Sequence, residues 1–338
     1  MEVHCDFASD NVSGIAPEAM DALVRANKGA VNSYGDDPTT RHAADLIREL
    51  LGADAEVRFV VSGTAGNAIA LSMLAERFES VLAIEHAHIA NDETGAPAFI
   101  GGGQGLTRLP DRSGRMDPEA LIAALAAPQY ARRQSPGALS LTQSTEFGTV
   151  YSEEQLGQLI GPAKQDGLGV HMDGAYLAKA AAAGFDMKAI ARLGVDILVL
   201  SGAKTGMPPT EALVVFDKRR TRRLDARLKQ MGHQPSKMRF LSAPWVGMLE
   251  TGAWLSRAQH ANAMARRLAA GMPFPIAHAV ETNIVFAHMD EAPYQALQHR
   301  WVVHRGLDGA ARFVCSWDTR PEMVDALCTD LKGLAATR

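Results

Sequence analysis

Lys204 leaves an apolar run, Asp196-Ile-Leu-Val-Leu200, inside the small-residue loop Ser201-Gly-Ala-Lys-Thr-Gly206. An amine with so little bulk around it can approach a flat ligand closely and condense with its carbonyl. Asp173 ends another apolar run in Gly169–Ala180, GVHMDGAYLAKA, and Tyr176 follows three residues later. Ser62-Gly-Thr-Ala-Gly-Asn67 follows a third run; its backbone N–H groups and hydroxyls suit a phosphate at a helix start. It has neither the Lys of a P-loop nor the spacing of a dinucleotide fingerprint. Glu85-His-Ala-His88 follows a fourth run, and its two histidines lack a third metal ligand at useful spacing, so no metal site is predicted. Each feature alone has a plainer reading: a capped glycine turn, surface histidines, a solvated lysine.

The elements that must position these groups alternate. Val57–Val61, Val81–Ile84, Ala138–Thr142, Leu168–Met172, Asp196–Leu200 and Ala212–Phe216 read as strands. Between them, Ala65–Phe78, Asp117–Ala126, Ser152–Gln165 and Tyr176–Ala183 read as helices, with Ser152-Glu-Glu-Gln155 resembling a capping box. Several strands are apolar throughout. That pattern predicts an α/β fold with a mostly parallel sheet covered on both faces. A helix is predicted at Pro17–Asn27, and Leu241–Gly271 reads as one long helix. Beyond it, Asn283–Phe286, Pro293–Arg300, Arg312–Cys315 and Pro321–Leu331 predict a smaller C-terminal α+β unit. The predicted division is a segment over 1–54, a large α/β domain over 55–245, and the long helix with the small domain over 246–338.

In parallel α/β sheets, ligands collect at the carboxyl ends of the strands. A phosphate loop, a histidine, an aspartate and a lysine, met in that order at successive strand ends, make up the set pyridoxal 5′-phosphate needs. The aspartate keeps the pyridine nitrogen protonated, an aromatic ring covers one face, and the amine forms a Schiff base. No Gly-x-Ser-x-Gly elbow is present, which disfavours a serine hydrolase. The 338 residues carry a net charge of −4, with 47% apolar and 21% charged residues. Lys and Arg are scattered, which argues against nucleic acid as a partner. The densest basic run, Lys218–Arg223, reads as a solvated helix face. No apolar stretch suits a signal peptide or a membrane span. Cys5, Cys315 and Cys328 suggest neither a disulfide framework nor a zinc site, and a cytoplasmic protein is predicted.

The chain resembles the low-specificity L-threonine aldolases among the fold type I, aspartate-aminotransferase-like enzymes. The resemblance is carried by FASDNVSGIAPEAM (7–20), YGDDPTT (34–40), SGTAGN (62–67), HAHIANDETGAP (86–97), HMDGAYL (171–177), SGAKTGMPPTEALVVF (201–216), SKMRFLSAPWVGMLE (236–250) and ARFVCSWDT (311–319). It implies a seven-stranded-type sheet and retro-aldol cleavage of β-hydroxy-α-amino acids to glycine and an aldehyde. It implies that Lys204 forms the internal aldimine, that Asp173 pairs with the pyridinium and that His88 stacks on the ring. Gly63 and Thr64 would hold the phosphate, with Arg239 reaching it from a neighbouring subunit. Arg312 would take the substrate carboxylate, assisted by Ser9, and Tyr34 would border the site across a dimer interface. The implied assembly is a homotetramer built as two dimers.

One departure stands out. Members of the family mostly read Asp-Gly-Ala-Arg, whereas here the fourth position is Tyr176. A phenol can still donate one hydrogen bond to the cofactor's phenolic oxygen, but it brings no fixed positive charge. The departure leaves β-elimination or transamination on the same cofactor as an alternative, as well as a non-catalytic cofactor-binding protein. Some relatives place a histidine near Thr145 to meet the substrate hydroxyl. Without one here, His88 or a water on the phosphate would have to take that proton.

Overall fold

Seven apolar runs line up as one sheet in the computed structural model, which describes residues 3–127, 133–222 and 224–336. The strands are β1 (Glu56–Val60), β2 (Ser80–Ile84), β3 (Gly105–Leu109), β4 (Pro136–Thr142), β5 (Gly169–Gly174), β6 (Ile197–Ser201) and β7 (Glu211–Val215). Their order is β1-β7-β6-β5-β4-β2-β3. The pairs β2/β3, β2/β4, β4/β5 and β5/β6 are parallel, while β7 runs antiparallel to both β6 and β1. Every residue of β2, β5, β6 and β7 is buried, as a sheet covered on both faces requires. The edge strand β3 was not predicted. Its Leu106, Thr107 and Arg108 are exposed, so it lacks the continuous apolar signature of the central strands.

Helix α1 (Pro17–Ala26) and helix α2 (Pro38–Leu51) precede the sheet. The second was also unpredicted, although Asp37 caps Thr40 N at 2.8 Å and Gly52, at φ 58°, ends it in the left-handed region. Helix α3 (Gly63–Leu74) lies against β6 without a spacer: a Cβ on Gly66 would sit 2.7 Å from Cγ1 of Val199. Helix α4 (Glu153–Gln165) carries the capping box formed by Ser152 and Gln155. Helix α5 (Leu177–Ala182) leaves β5 after Tyr176.

The predicted single helix over 241–271 is two helices, α6 (Arg239–Glu250) and α7 (Ala253–Gly271). Gly252 breaks them at φ 71°, a conformation other residues rarely adopt. Of the basic run, Lys218–Thr221 forms a short 3-10 turn, and Arg223 lies outside the described residues.

A second, antiparallel sheet joins β8 (Ile284–Ala287), β9 (His304–Arg305) and β10 (Ala311–Val314) in the order β8-β10-β9, followed by α8 (Pro321–Ala336). One apolar core surrounds the large sheet, and another gathers Phe7, Leu268, Trp301, Phe313 and Leu327 under the small one. A third, smaller cluster of Phe147, Tyr176, Ile284, Phe286 and Val314 links residues at the ends of β4 and β5 with the small sheet. The first residues are stitched into the second core: Val314 N donates to Phe7 O at 2.9 Å, and His4 N to Arg300 O at 2.7 Å.

Candidate active site

The carboxyl ends of β1, β5 and β6, with the loops that leave β2 and β4, face a cavity of about 470 Å³ lined by Gly63, Thr64, His88, Asp173, Tyr176 and Lys204. A neighbouring cavity of about 290 Å³ is lined by Ser9, Phe147, Phe286 and Arg312, and it shares His88, Glu146, Tyr176 and Lys204 with the first. Eight of the eleven predicted site residues line one or both of these spaces.

Lys204 sits in a 3-10 turn between Gly202 and Gly206, and its root is fixed from below. Gly202 N donates to Glu211 Oε2 at 2.9 Å, and Lys179 Nζ donates to the carbonyl of Lys204. Burial pushes the Glu211 carboxyl up to about 7. Lys179 is itself fully buried, and it pairs with Asp10 at 3.2 Å. Asp10 also accepts from Asn283 Nδ2 at 3.1 Å. This buried charge pair was missed in the sequence. The available signal was Leu-Ala-Lys-Ala-Ala-Ala itself, a helix with no polar face for its lysine to share.

The phenol of Tyr176 joins the two cations of the site. Its Oη accepts from Lys204 Nζ at 3.1 Å and from Arg312 Nη2 at 3.3 Å, and the Lys204 ammonium lies 4.5 Å from the ring centroid. Burial opposes the charge on Lys204, yet Tyr176, Asp10 and Glu146 outweigh it and hold the amine above its ordinary value. The Arg312 guanidinium is likewise raised against the penalty of burial by Tyr176, Glu146 and Asp10.

Asp173 is held at both oxygens. Oδ2 accepts from Asn67 Nδ2 at 2.8 Å, and Oδ1 accepts from the backbone N–H of Ala175 at 2.9 Å. The same Asn67 nitrogen reaches Glu93 Oε1 at 2.8 Å, and that oxygen meets His88 Nδ1 at 2.8 Å. The hydrogen bond to Glu93 raises the His88 imidazole to about 9 against the opposing effect of burial. Asn67, Glu93 and Glu146 were not singled out by sequence reasoning. Glu93 follows His88 by five residues across a one-turn helix, but nothing in the spacing of Asn67 says that it meets Asp173.

Three predicted site residues lie elsewhere. Thr145 lines neither cavity: its side chain is fully buried, and its hydroxyl is shared with Thr149 Oγ1 at 2.8 Å, so the adjacent Glu146 faces the site instead. Tyr34 is 47% exposed and lines a separate cavity beside α2. Arg239, at the start of α6, donates to the Gly29 carbonyl at 3.2 Å. Neither Tyr34 nor Arg239 reaches the Lys204 cavity within the protomer.

The donor set fits pyridoxal 5′-phosphate. The first N–H groups of α3 have no intrahelical partners, Ser62 caps only Ala65 N, and nothing stands within 4 Å of where a Gly63 side chain would begin, so an anion has room and donors there. A carboxylate that accepts hydrogen bonds at both oxygens and a primary amine share the same space.

Comparison with known proteins agrees with that chemistry. The beta-eliminating lyase family matches residues 6–292. A low-specificity L-threonine aldolase from Pseudomonas sp. (strain NCIMB 10558) is 41% identical over 97% of this chain and 97% of its own length. Another from Pseudomonas aeruginosa is 41% identical over 96% of each. The solved structure of a threonine aldolase from Leishmania major superposes with a TM-score of 0.92 at 27% identity, covering 98% of this chain and 99% of that one. The chain belongs to the beta-eliminating lyase family and, within it, to the low-specificity L-threonine aldolases.

Proposed function

We propose that the protein is a pyridoxal 5′-phosphate-dependent carbon–carbon lyase that cleaves β-hydroxy-α-amino acids, of the L-threonine, L-allo-threonine and phenylserine kind, to glycine and an aldehyde. One observation carries the reading. The Lys204 amine and the Asp173 carboxylate line a single cavity with the start of α3, beside a second cavity that holds Arg312. The activity named for the Pseudomonas relatives supplies the substrate class.

The bound cofactor supplies an aldehyde that condenses with amines and a ring that withdraws electrons. In this reading Lys204 presents the anchoring amine and yields it to the incoming substrate. Asp173, positioned by Asn67 and the Ala175 N–H, would pair with the ring nitrogen and hold a proton there. Gly63, Thr64 and the first turn of α3 hold the phosphate, and His88 covers the ring. Tyr176 offers its phenol where most relatives offer a guanidinium. Arg312 takes the substrate carboxylate as a charge-assisted partner, with Ser9 beside it in the same cavity. Holding that carboxylate orients the bonds at Cα, which selects carbon–carbon cleavage over transamination or decarboxylation.

Tyr34 and Arg239 act in this reading from a neighbouring copy, in a tetramer of two dimers with shared sites. Residues 1–54 complete the site and the interface, 55–245 hold the cofactor and 246–338 form the smaller domain. We place the protein in the cytoplasm. No helix among the described residues is long and apolar enough to cross a membrane.

The test is product analysis with L-threonine, L-allo-threonine and phenylserine, beside a Lys204→Ala variant. Glycine and the matching aldehyde are expected from the native protein and not from the variant. A keto acid as product would establish elimination or transamination in its place.

A further inference from the structure

We propose that Glu146 is the base that takes the proton from the substrate's β-hydroxyl. The inference rests on the aldolase reading and assigns a step that the residues named so far leave open.

Six carboxylates lie in or beside the two cavities, and four of them are taken. Asp173 holds Asn67 and the Ala175 N–H, while Glu93 holds Asn67 and His88. Asp10 holds Lys179 and Asn283, and Glu211 accepts from Gly202 N. Of the other two, Asp92 is exposed and lines only the second cavity, whereas Glu146 lines both and receives no hydrogen bond from a described residue. It stands on the seam between the space that holds Asp173 and the space that holds Arg312, where the reacting carbons of a substrate gripped at both ends must lie.

The alternatives at that seam are occupied. His88 has its Nδ1 committed to Glu93, and that bond keeps the ring protonated at neutral pH, which leaves no lone pair to accept a proton. The Tyr176 oxygen already accepts from Lys204 and Arg312. Thr145 shares its hydroxyl with Thr149.

The loop that carries Glu146 is built to hold it still. Thr145 N donates to Thr149 O at 2.9 Å, and Gly148 N donates to Thr145 O at 2.9 Å. Thr149 Oγ1 donates to Ser113 O at 2.8 Å, and the Gln143 side chain bonds both the N–H and the carbonyl of Tyr151. Thr145 turns into this support and Phe147 into the apolar cluster with Tyr176, and Glu146, between them, is the one of the three that lines both cavities. Burial and the Asp173 charge raise its carboxyl, while His88, Lys204 and Arg312 pull it back down. Such an acid can gain and lose a proton nearer to neutral pH than an exposed carboxylate can.

In the step itself the Glu146 carboxylate receives the hydroxyl proton, and the O–H electron pair becomes the second bond of the departing aldehyde. The Cα–Cβ bond breaks, and its electron pair remains on the Cα side until a proton returns there to give glycine. No oxidant or reductant is consumed.

The test uses the cofactor-loaded enzyme and its Glu146→Gln and Glu146→Asp variants. Glu146→Gln is expected to lower kcat for L-threonine by about 10²–10⁴-fold, the range for loss of a general base. Exchange of the glycine α-proton with deuterium from solvent needs no hydroxyl base. It should stay within about threefold of native, as should the calorimetric Kd for glycine. The acidic limb of the kcat/KM profile should disappear in Glu146→Gln, and Glu146→Asp should recover about tenfold or more of the lost rate by keeping a carboxylate. Unchanged threonine cleavage in Glu146→Gln would overturn the assignment, and so would an equal loss of cleavage and exchange. A native enzyme that exchanges glycine protons yet releases no glycine from threonine would overturn the aldolase reading, and this inference with it.

Discussion

Asp173 and Glu146 face the same cavity and are built in opposite ways. The end of β5 surrounds Asp173 with donors, at 2.8 Å from Asn67 and 2.9 Å from the Ala175 N–H, and a second tier of Glu93 and His88 stands behind Asn67. The loop after β4 spends its hydrogen bonds on its own backbone and leaves the Glu146 carboxylate bare. Donors stabilise the charged form of an acid and lower its readiness to take a proton; their absence together with burial does the reverse. One wall of the cavity thus meets its carboxylate with donors, and the other leaves its carboxylate open to the space.

The contrast can be broken most forcefully at Asp173. Asp173→Asn keeps the shape but cannot hold a proton on a ring nitrogen, and turnover should fall by about 10³-fold, roughly 4 kcal/mol of barrier. Steady-state kinetics on cofactor-saturated protein measures it, and a variant of near-native rate would show that turnover does not need the Asp173 carboxylate. Next in size, Lys179→Met leaves Asp10 buried without its cation. Urea unfolding should register a loss of about 3 kcal/mol, whereas a change below roughly 1 kcal/mol would mean that Asp10 does not depend on that partner.

Asn67→Ala strips one donor each from Asp173 and Glu93. It should cost about 2 kcal/mol of stability, read from the same unfolding curves. A last effect appears only in acid and concerns His171, two residues before Asp173 on β5. Burial lowers its imidazole to about 4, and its Nδ1 meets only Ser140 Oγ at 2.9 Å. The unfolded chain therefore binds that proton first, so stability should fall as pH drops below 6.5 and level off below about 4. His171→Asn should flatten that slope by about one proton; an unchanged slope would assign it to other groups.

What could be read in the sequence follows from where each group sits. Lys204, Asp173, His88, Gly63 and Thr64 stand just past apolar runs, and a run followed by a break is a local signal. The same logic recovered six of the seven strands of the large sheet and failed on β3, whose exposed Thr107 and Arg108 belong to an edge. Asn67 with Asp173, and Asp10 with Lys179, meet only after the sheet has formed, and no spacing encodes such pairs. Thr145 was expected at the site and Glu146 found there because a loop has no period to tell which neighbour points inward. The break at Gly252 was hidden by apolar residues that continue at helical spacing on both sides of it.

The stitching of the first residues has a consequence for how the protein is made. Phe7 bonds to Val314, His4 to Arg300, and Asp10 reaches Asn283. Ribosomal synthesis delivers these partners some 270 residues or more after the segment they bind. The bonds of His4 and Phe7 can therefore form only after residues 300–314 have emerged, well after the large sheet has been made, although Asp10 can meet Lys179 earlier. Deleting residues 4–11 would take Ser9, Asp10 and Asn11 out of the walls of the two cavities.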